Sequence, residues 1–331
     1  MTTLQSTTAP AETELSLRLF ESMVRIRMVE EAVAAHYKAQ QMRCPVHLSI
    51  GQEAAAAGVG LALRADDMAM SGHRSHAHYL AKGGDLNAMV AEMHGRATGC
   101  CHGRGGSMHL VDLKAGFWGA VPIVGSTIPI AVGLAFAEHL KKGERVTAAF
   151  FGEAATEEGV FHESANFASL HKLPVVLVCE NNLYSVYSPM HVRQPGHREV
   201  FEQAKGHGIE AHQVDGNDPR AVQRAMSEAL AHARARRGPV FLELKTYRWR
   251  EHCGPNFDNH IGYRTEAEYL TWKERDPVAT FERQLRADGI FDVVRHDCFV
   301  AQQSTTIAAA FAAAKAAPFP ASSTLMDHVY A

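Results

Sequence analysis

The chain has 331 residues, of which 46% are apolar and 21% charged, with a formal net charge of −3. That is the make-up of a folded globular protein, and so small a charge gives no support for nucleic-acid binding. No apolar run reaches the ~18 residues that would cross a bilayer, and residues 1–14 lack the pattern of a signal or Arg-rich transit peptide, so a cytoplasmic setting is expected.

Residues 1–12 read as a mobile tail. From Glu14 to Gln41, Leu15, Leu19, Met23, Ile26 and Val33 recur at roughly helical spacing, which predicts a long amphipathic helix. Gln52–Leu63 reads as an alanine-rich helix whose small residues permit close packing. Met68–Met70 is a short strand candidate. His76–Gly83 and Leu86–His94 look helical, with a break at Gly83-Gly84. Residues 95–127 are glycine-rich and aperiodic, and so long an irregular stretch in a compact domain points to function. Ile128–Lys142 is a helix. Strand and helix then alternate through Arg145–Phe151, Glu157–His171, Pro174–Cys179, Ile209–Val214, Pro219–Arg236 and Pro239–Leu244, with Asp218-Pro219 and Gly238 as start and stop signals of the fifth. Such alternation implies βαβ units and a parallel sheet, an α/β fold. Thr246–Gly262 is again irregular.

The chemistry concentrates at the ends of the expected strands. Gly152-Glu153 closes one apolar run and Glu180-Asn181-Asn182 closes the next, with Glu153 and Asn182 29 residues apart. A carboxylate and an amide at neighbouring strand ends suit magnesium, which takes oxygen ligands and shares them with phosphates and water. The same pair also fits a plain strand-end acid capping the following helix. His73, Arg74 and His76 follow one strand; Arg248 and His252 follow another. Arginine forks suit phosphate oxygens, so the two basic clusters either converge on a diphosphate or are solvated surface charge. His47, before Gln52-Glu53, is a catalyst or a structural hydrogen-bonder. Cys44, Cys100, Cys101, Cys179, Cys253 and Cys298 contain no C-x-x-C pair, so a zinc site is not expected and the thiols read as reduced.

Taken together, His47–Ala54, His73–His76, Gly105-Gly106-Ser107-Met108-His109, Ile123-Val124-Gly125, Gly152–Asn182 and Lys245–His252 resemble the α subunits of thiamine-diphosphate-dependent 2-oxo acid dehydrogenases, the first components of pyruvate, branched-chain and acetoin dehydrogenase complexes. The resemblance spans nearly the whole chain. It implies the thiamine-diphosphate-binding fold: a mostly parallel central sheet flanked by helices, with helical N- and C-terminal extensions, and residues 13–331 as a single domain. It implies thiamine diphosphate and Mg2+ as cofactors. Glu153, Asn182 and the Tyr184 carbonyl stand at the metal-ligand positions. His73, Arg74, Arg248 and His252 stand at diphosphate positions, with His73 in place of a common tyrosine. Val124 stands at the aminopyrimidine, and Gly152, Ala154 and Ala155 line the diphosphate turn. His47 and His252 flank the reacting end.

The implied activity is decarboxylation of a small 2-oxo acid, with the acyl group passed to a lipoyl group on an acyltransferase or to another acceptor. It further implies a β subunit that supplies the activating glutamate in an α2β2 enzyme, with this chain inactive alone. Two departures stand out: the usual Gly-Asp-Gly is Gly152-Glu153-Ala154, and Cys253 occupies the place of a serine phosphorylated in mitochondrial pyruvate enzymes. The alternatives are the α half of a transketolase-like or acyl-transferring thiamine enzyme in a specialised biosynthetic pathway, and a non-catalytic α-like subunit.

Overall fold

The computed structural model describes residues 10–42, 44–327 and 329. Most of the expected tail therefore lies outside the described residues, and residues 10–12 already belong to the first helix. That helix, α1 (Pro10–Tyr37), buries Leu19, Met23, Ile26 and Val33 along one face, as the spacing predicts. It packs on α2 (Glu53–Ala62), which leads to β1 (Met68–Ser71), α3 (His76–Ala81) and α4 (Leu86–Met93).

The glycine-rich stretch holds one strand with no signature in the sequence, β2 (Phe117–Ala120). Its pairing with β1 makes it a strand: Ala69 faces Phe117 and Ser71 faces Ala120. The rest of this stretch is organised by one buried carboxylate. Glu92, at the end of α4, accepts backbone N–H groups from Cys101 (2.8 Å), Gly103 (2.9 Å), Gly105 (2.7 Å) and Gly106 (3.1 Å). Charge-assisted bonds of this kind hold backbone that has no ladder of its own.

α5 (Thr127–Leu140), β3 (Thr147–Gly152), α6 (Gly159–Leu170) and β4 (Val175–Asn181) follow. Seven consecutive residues of β4 are buried, the mark of a parallel strand covered on both faces. A two-residue hairpin, β5 (Tyr184–Ser185) and β6 (Ser188–Pro189), leads into the short helices α7 (Met190–Arg193) and α8 (Val200–Lys205). β7 (Glu210–Asp215), α9 (Pro219–Arg234) and β8 (Val240–Lys245) complete the sheet. Asp218 caps α9 by accepting from the N–H groups of Arg220 and Ala221, with Pro219 in the first turn, as its sequence signals predict. α10 (Glu266–Glu274), α11 (Pro277–Ala287) and α12 (Val293–Ala316) form a C-terminal helical layer.

The six strands pair in the order β2-β1-β3-β4-β8-β7, and every pairing is parallel. From β1 the chain goes outward to β2, then crosses back to β3 on the other side of β1. The switch point therefore lies between β1 and β3, where open α/β sheets place their ligand crevice. One apolar core gathers α1, α2 and α9; the other gathers α5 and α6. Among the described residues no helix is long and apolar enough to cross a membrane.

The expected close packing of α2 is visible at Gly58. A Cβ there would sit 2.6 Å from Val222 Cγ1 on α9. Gly58→Val should therefore overpack the α2–α9 contact and cost about 1–3 kcal/mol. Thermal unfolding should show a lower midpoint; an unchanged midpoint would mean that the two helices separate freely.

Candidate active site

The switch point opens into a cavity of about 220 Å³. Each wall is a strand end. β1 runs into Ser71-Gly72-His73-Arg74, β2 into Val121–Gly125, β3 into Gly152-Glu153-Ala154-Ala155, and β4 into Asn182 with Tyr184 beyond it; His47 and His252 come in from flanking loops. His76 of the basic cluster after β1 lies outside this cavity, bonded to Glu30 and Ser107; of the site residues that the resemblance implies, all line it except Arg248. That guanidinium is buried beneath the wall. It donates to the carbonyls of Arg250 (2.7 Å) and Val186 (2.7 Å) and to the Tyr263 hydroxyl (2.9 Å). Its Nε has no partner among the described residues.

One side of the cavity is basic but carries little charge. The rings of His47, His73 and His252 stand 4.6–5.2 Å apart, centroid to centroid. Burial, and the neighbouring Arg74, push all three pKa values down: His47 to about 2, His73 to about 4 and His252 to about 3. Neutral imidazoles each offer one N–H and one lone pair. The Nδ1 of His47 is buried with no partner among the described residues, which suits a site built to take a ligand. Arg74 is fixed by bonds to the Leu48 carbonyl (2.6 Å) and the His252 carbonyl (3.3 Å). Burial and the nearby Arg248 lower its pKa to about 10, so it stays charged near neutrality.

The opposite side offers oxygen. Glu153 is 1% exposed, and burial pushes its carboxyl pKa up, opposed by Arg193. Arg193 Nη2 lies 2.5 Å from Glu153 Oε1, and its Nη1 is paired with Glu157. This partner could not be foreseen, because Arg193 sits on a four-residue helix with no periodic signal. The Glu153 side chain does not cap the following helix. Asn182 donates from Nδ2 to Gln52 Oε1 (3.1 Å) and accepts at Oδ1 from the Tyr184 N–H (3.2 Å). Gln52 donates to Glu180 Oε2 (3.2 Å), and Glu180 Oε1 meets His78 Nε2 (3.0 Å), whose Nδ1 meets Ser71 Oγ (2.8 Å). Gln52, Glu180, His78 and Ser71 carry no functional signal of their own in the sequence.

The residues fit a metal diphosphate on direct observations. Carboxylate, amide oxygen and backbone carbonyl are the donor types that magnesium takes. A Cβ on Gly72 or Gly152 would meet nothing closer than a carbonyl oxygen at 4.0 Å, so the floor between the two walls is open.

Residues 21–323 match the family model described as dehydrogenase E1 component. The chain belongs to the dehydrogenase E1 component family. It is 37% identical over 323 residues to the pyruvate dehydrogenase E1 component subunit alpha of Zymomonas mobilis, covering 96% of this chain and 89% of that one. It is 36% identical over 327 residues to the mitochondrial pyruvate dehydrogenase E1 component subunit alpha-1 of rice, covering 98% and 81%. It is 35% identical over 317 residues to the alpha subunit of acetoin:2,6-dichlorophenolindophenol oxidoreductase from Bacillus subtilis, covering 96% and 94%.

As an E1 α chain, the protein carries an unusual strand end at Gly152-Glu153-Ala154. The longer glutamate still reaches the cavity, and the turn that follows is a 3-10 helix over Glu153–Glu157, in which Ala154 needs no left-handed backbone. The lowered histidine pKa values give this E1 chain a testable acid response. A neutral histidine favoured by the fold stabilises it above the ordinary pKa near 6.5, and that stability is lost as pH falls from about 6.5 toward 4. Urea melts at pH 7 and pH 5 should show a drop that His73→Gln reduces by at most about 2 kcal/mol. Equal drops in both proteins would show that His73 is protonated at no cost.

Proposed function

We propose that this chain is the α subunit of a two-chain, thiamine-diphosphate- and magnesium-dependent enzyme that decarboxylates a 2-oxo acid and passes on the acyl group. The observation that carries the reading is the apposition, across one switch-point cavity, of Glu153 and Asn182 with Arg74 and three uncharged histidines. In this reading Glu153, Asn182 and the Tyr184 carbonyl hold magnesium. Arg74, His73 and His252 donate to the diphosphate, and Arg248 adds its charge from beneath. Gly152, Ala154 and Ala155 form the turn under it, and the backbone at Val124 meets the aminopyrimidine. When bound, thiamine diphosphate supplies the carbanion chemistry that severs the bond to carbon dioxide. His47 and His252 contribute as neutral donors beside the reacting carbon, where an imidazole N–H stabilises developing negative charge without the ring being protonated to imidazolium at neutral pH.

A second chain is part of the proposal. Both carboxylates that line the cavity are engaged: Glu153 by Arg193, and Glu180 by His78 and Gln52. An activating glutamate therefore comes from elsewhere, which supports a β subunit and an α2β2 assembly. The cavity mouth supports it too, since Ile123, Val124 and Val186 stand there 69%, 46% and 40% exposed. A lipoyl acyltransferase is the proposed acceptor of the acyl group, and a pyruvate-like 2-oxo acid the proposed substrate.

The test is carbon dioxide release from a panel of 2-oxo acids, with thiamine diphosphate and magnesium, by the chain alone and with its β partner; acetoin joins the panel because one relative is named for it. Release only in the mixture is the expected result. Release by the chain alone would overturn the two-chain reading, and none from either would overturn the decarboxylase. Glu153→Ala should abolish magnesium-dependent cofactor binding in calorimetry; an unchanged affinity would remove Glu153 from the metal.

A further inference from the structure

A carboxylate oxygen accepts hydrogen bonds and does not donate them. Both oxygens of Glu180 are used, one by His78 Nε2 and the other by Gln52 Nε2. This decides how Gln52 lies: its NH2 must face Glu180, because its oxygen there would repel the carboxylate. Its oxygen then faces Asn182 and accepts from Nδ2. The Asn182 amide is thereby fixed as well. Its NH2 is taken by Gln52, so Oδ1 must point the other way, where the Tyr184 N–H meets it. With either amide reversed, oxygen would face oxygen and N–H would face N–H. None of the four residues in this chain of bonds is more than 7% exposed, so a reversed amide would find little water to replace its lost partners.

We propose that Glu180 and Gln52 are positioning residues: the carboxylate fixes two successive amides so that Asn182 presents oxygen, not NH2, to the magnesium ion. The same carboxylate accepts a hydrogen bond from the Nε2–H of His78, so that Nδ1 of the neutral ring accepts from Ser71 Oγ and ties the amide chain to the end of β1. The inference rests on the metal reading of Glu153 and Asn182. It concerns groups that never touch the ion, in the way outer hydrogen bonds orient the ligands of other metal sites.

The test reads metal affinity rather than turnover. Mn2+ is titrated into the full chain in complex with its β partner and thiamine diphosphate, with free Mn2+ followed by electron paramagnetic resonance. Glu180→Gln puts a group there that donates as well as accepts, so the amides can reverse; Mn2+ affinity should fall roughly 10–100-fold. Gln52→Met keeps the Glu180 charge and the side-chain length but cuts the link, and should weaken binding to a similar degree. The double variant Glu180→Gln with Gln52→Glu moves the acceptor-only group to position 52. From there the carboxylate can accept from Asn182 and from the new amide at position 180 at once, so the affinity should return toward wild type. Thermal melts of each variant separate misfolding from misorientation, because the double variant recovers affinity only if orientation is what was lost. Wild-type affinity in Gln52→Met, or a double variant no better than Glu180→Gln, would overturn the proposal while leaving the metal site standing. Absence of Mn2+ binding by the wild-type complex would overturn the metal reading and this inference with it.

Discussion

Because β2 and β3 lie on opposite sides of β1, the loops leaving β1 and β3 diverge and leave a crevice at the carboxyl edge of the sheet. Everything else about the site depends on that reversal. Parallel pairing sets β1, β3, β4 and β8 in register, Ser71 beside Phe150 and Gly152 beside Glu180, so their polar ends emerge at one level. Ahead of these ends β1, β3 and β4 are largely apolar and offer no chemistry. Function is confined to the few residues where each strand stops, and the crevice brings those residues within reach of one ligand.

Three buried carboxylates hold the loops around this crevice in place, each by using its oxygens as acceptors. Glu30 on α1 accepts from the Ser49 N–H (2.9 Å) and pairs with His76 (2.9 Å), whose other nitrogen meets Ser107 (2.7 Å). Glu92 gathers four N–H groups of the glycine-rich loop, and Glu180 orders the amides beside Asn182. Burying an acid is costly unless it is paired and hydrogen-bonded. Each of these is, and removing one partner would strand the rest without water. The network thus adds less to net stability than to uniqueness: a single arrangement of the loops satisfies all its donors.

Much of the fold was legible because burial on both faces writes itself into the sequence as continuous apolar runs. Val146–Phe151 and Pro174–Cys179 read as strands, and each ended at the residues that line the cavity, Gly152-Glu153 and Asn182. The amphipathic period of α1 and the Asp218-Pro219 start of α9 were equally plain. β2 was not, because four residues of an edge strand carry no period and become a strand only by pairing with β1. Arg193, Gln52 and His78 escaped for a related reason. Their partners are far off in sequence, and a long-range side-chain bond leaves no local mark. Arg248 was expected at a diphosphate position from its place after a strand and from the family resemblance. The chain after β8 instead turns its guanidinium inward, onto the Val186 carbonyl and Tyr263.

The two walls of the cavity are complementary to a ligand that carries both signs of charge. On one side the hydrogen bonds of Arg74 among the described residues go to carbonyls and not to a carboxylate, and its charge adds to burial in suppressing protonation of His47, His73 and His252. An anion placed there would relieve that repulsion and give the neutral rings something to donate to. On the other side Glu153 is nearly free of water and its ionised form is held by the guanidinium of Arg193. A free diphosphate would satisfy the first wall and repel the second, and a bare divalent ion would do the reverse. A metal diphosphate, as proposed, would meet both demands at once, with Glu153 available to hold its cation and Arg74 to donate to its phosphate oxygens. Arg193 then reads as the chain's own stand-in for that cation. It neutralises a buried acid that could not remain charged alone, and it is carried on α7, a four-residue helix that rests on the second core through Met190.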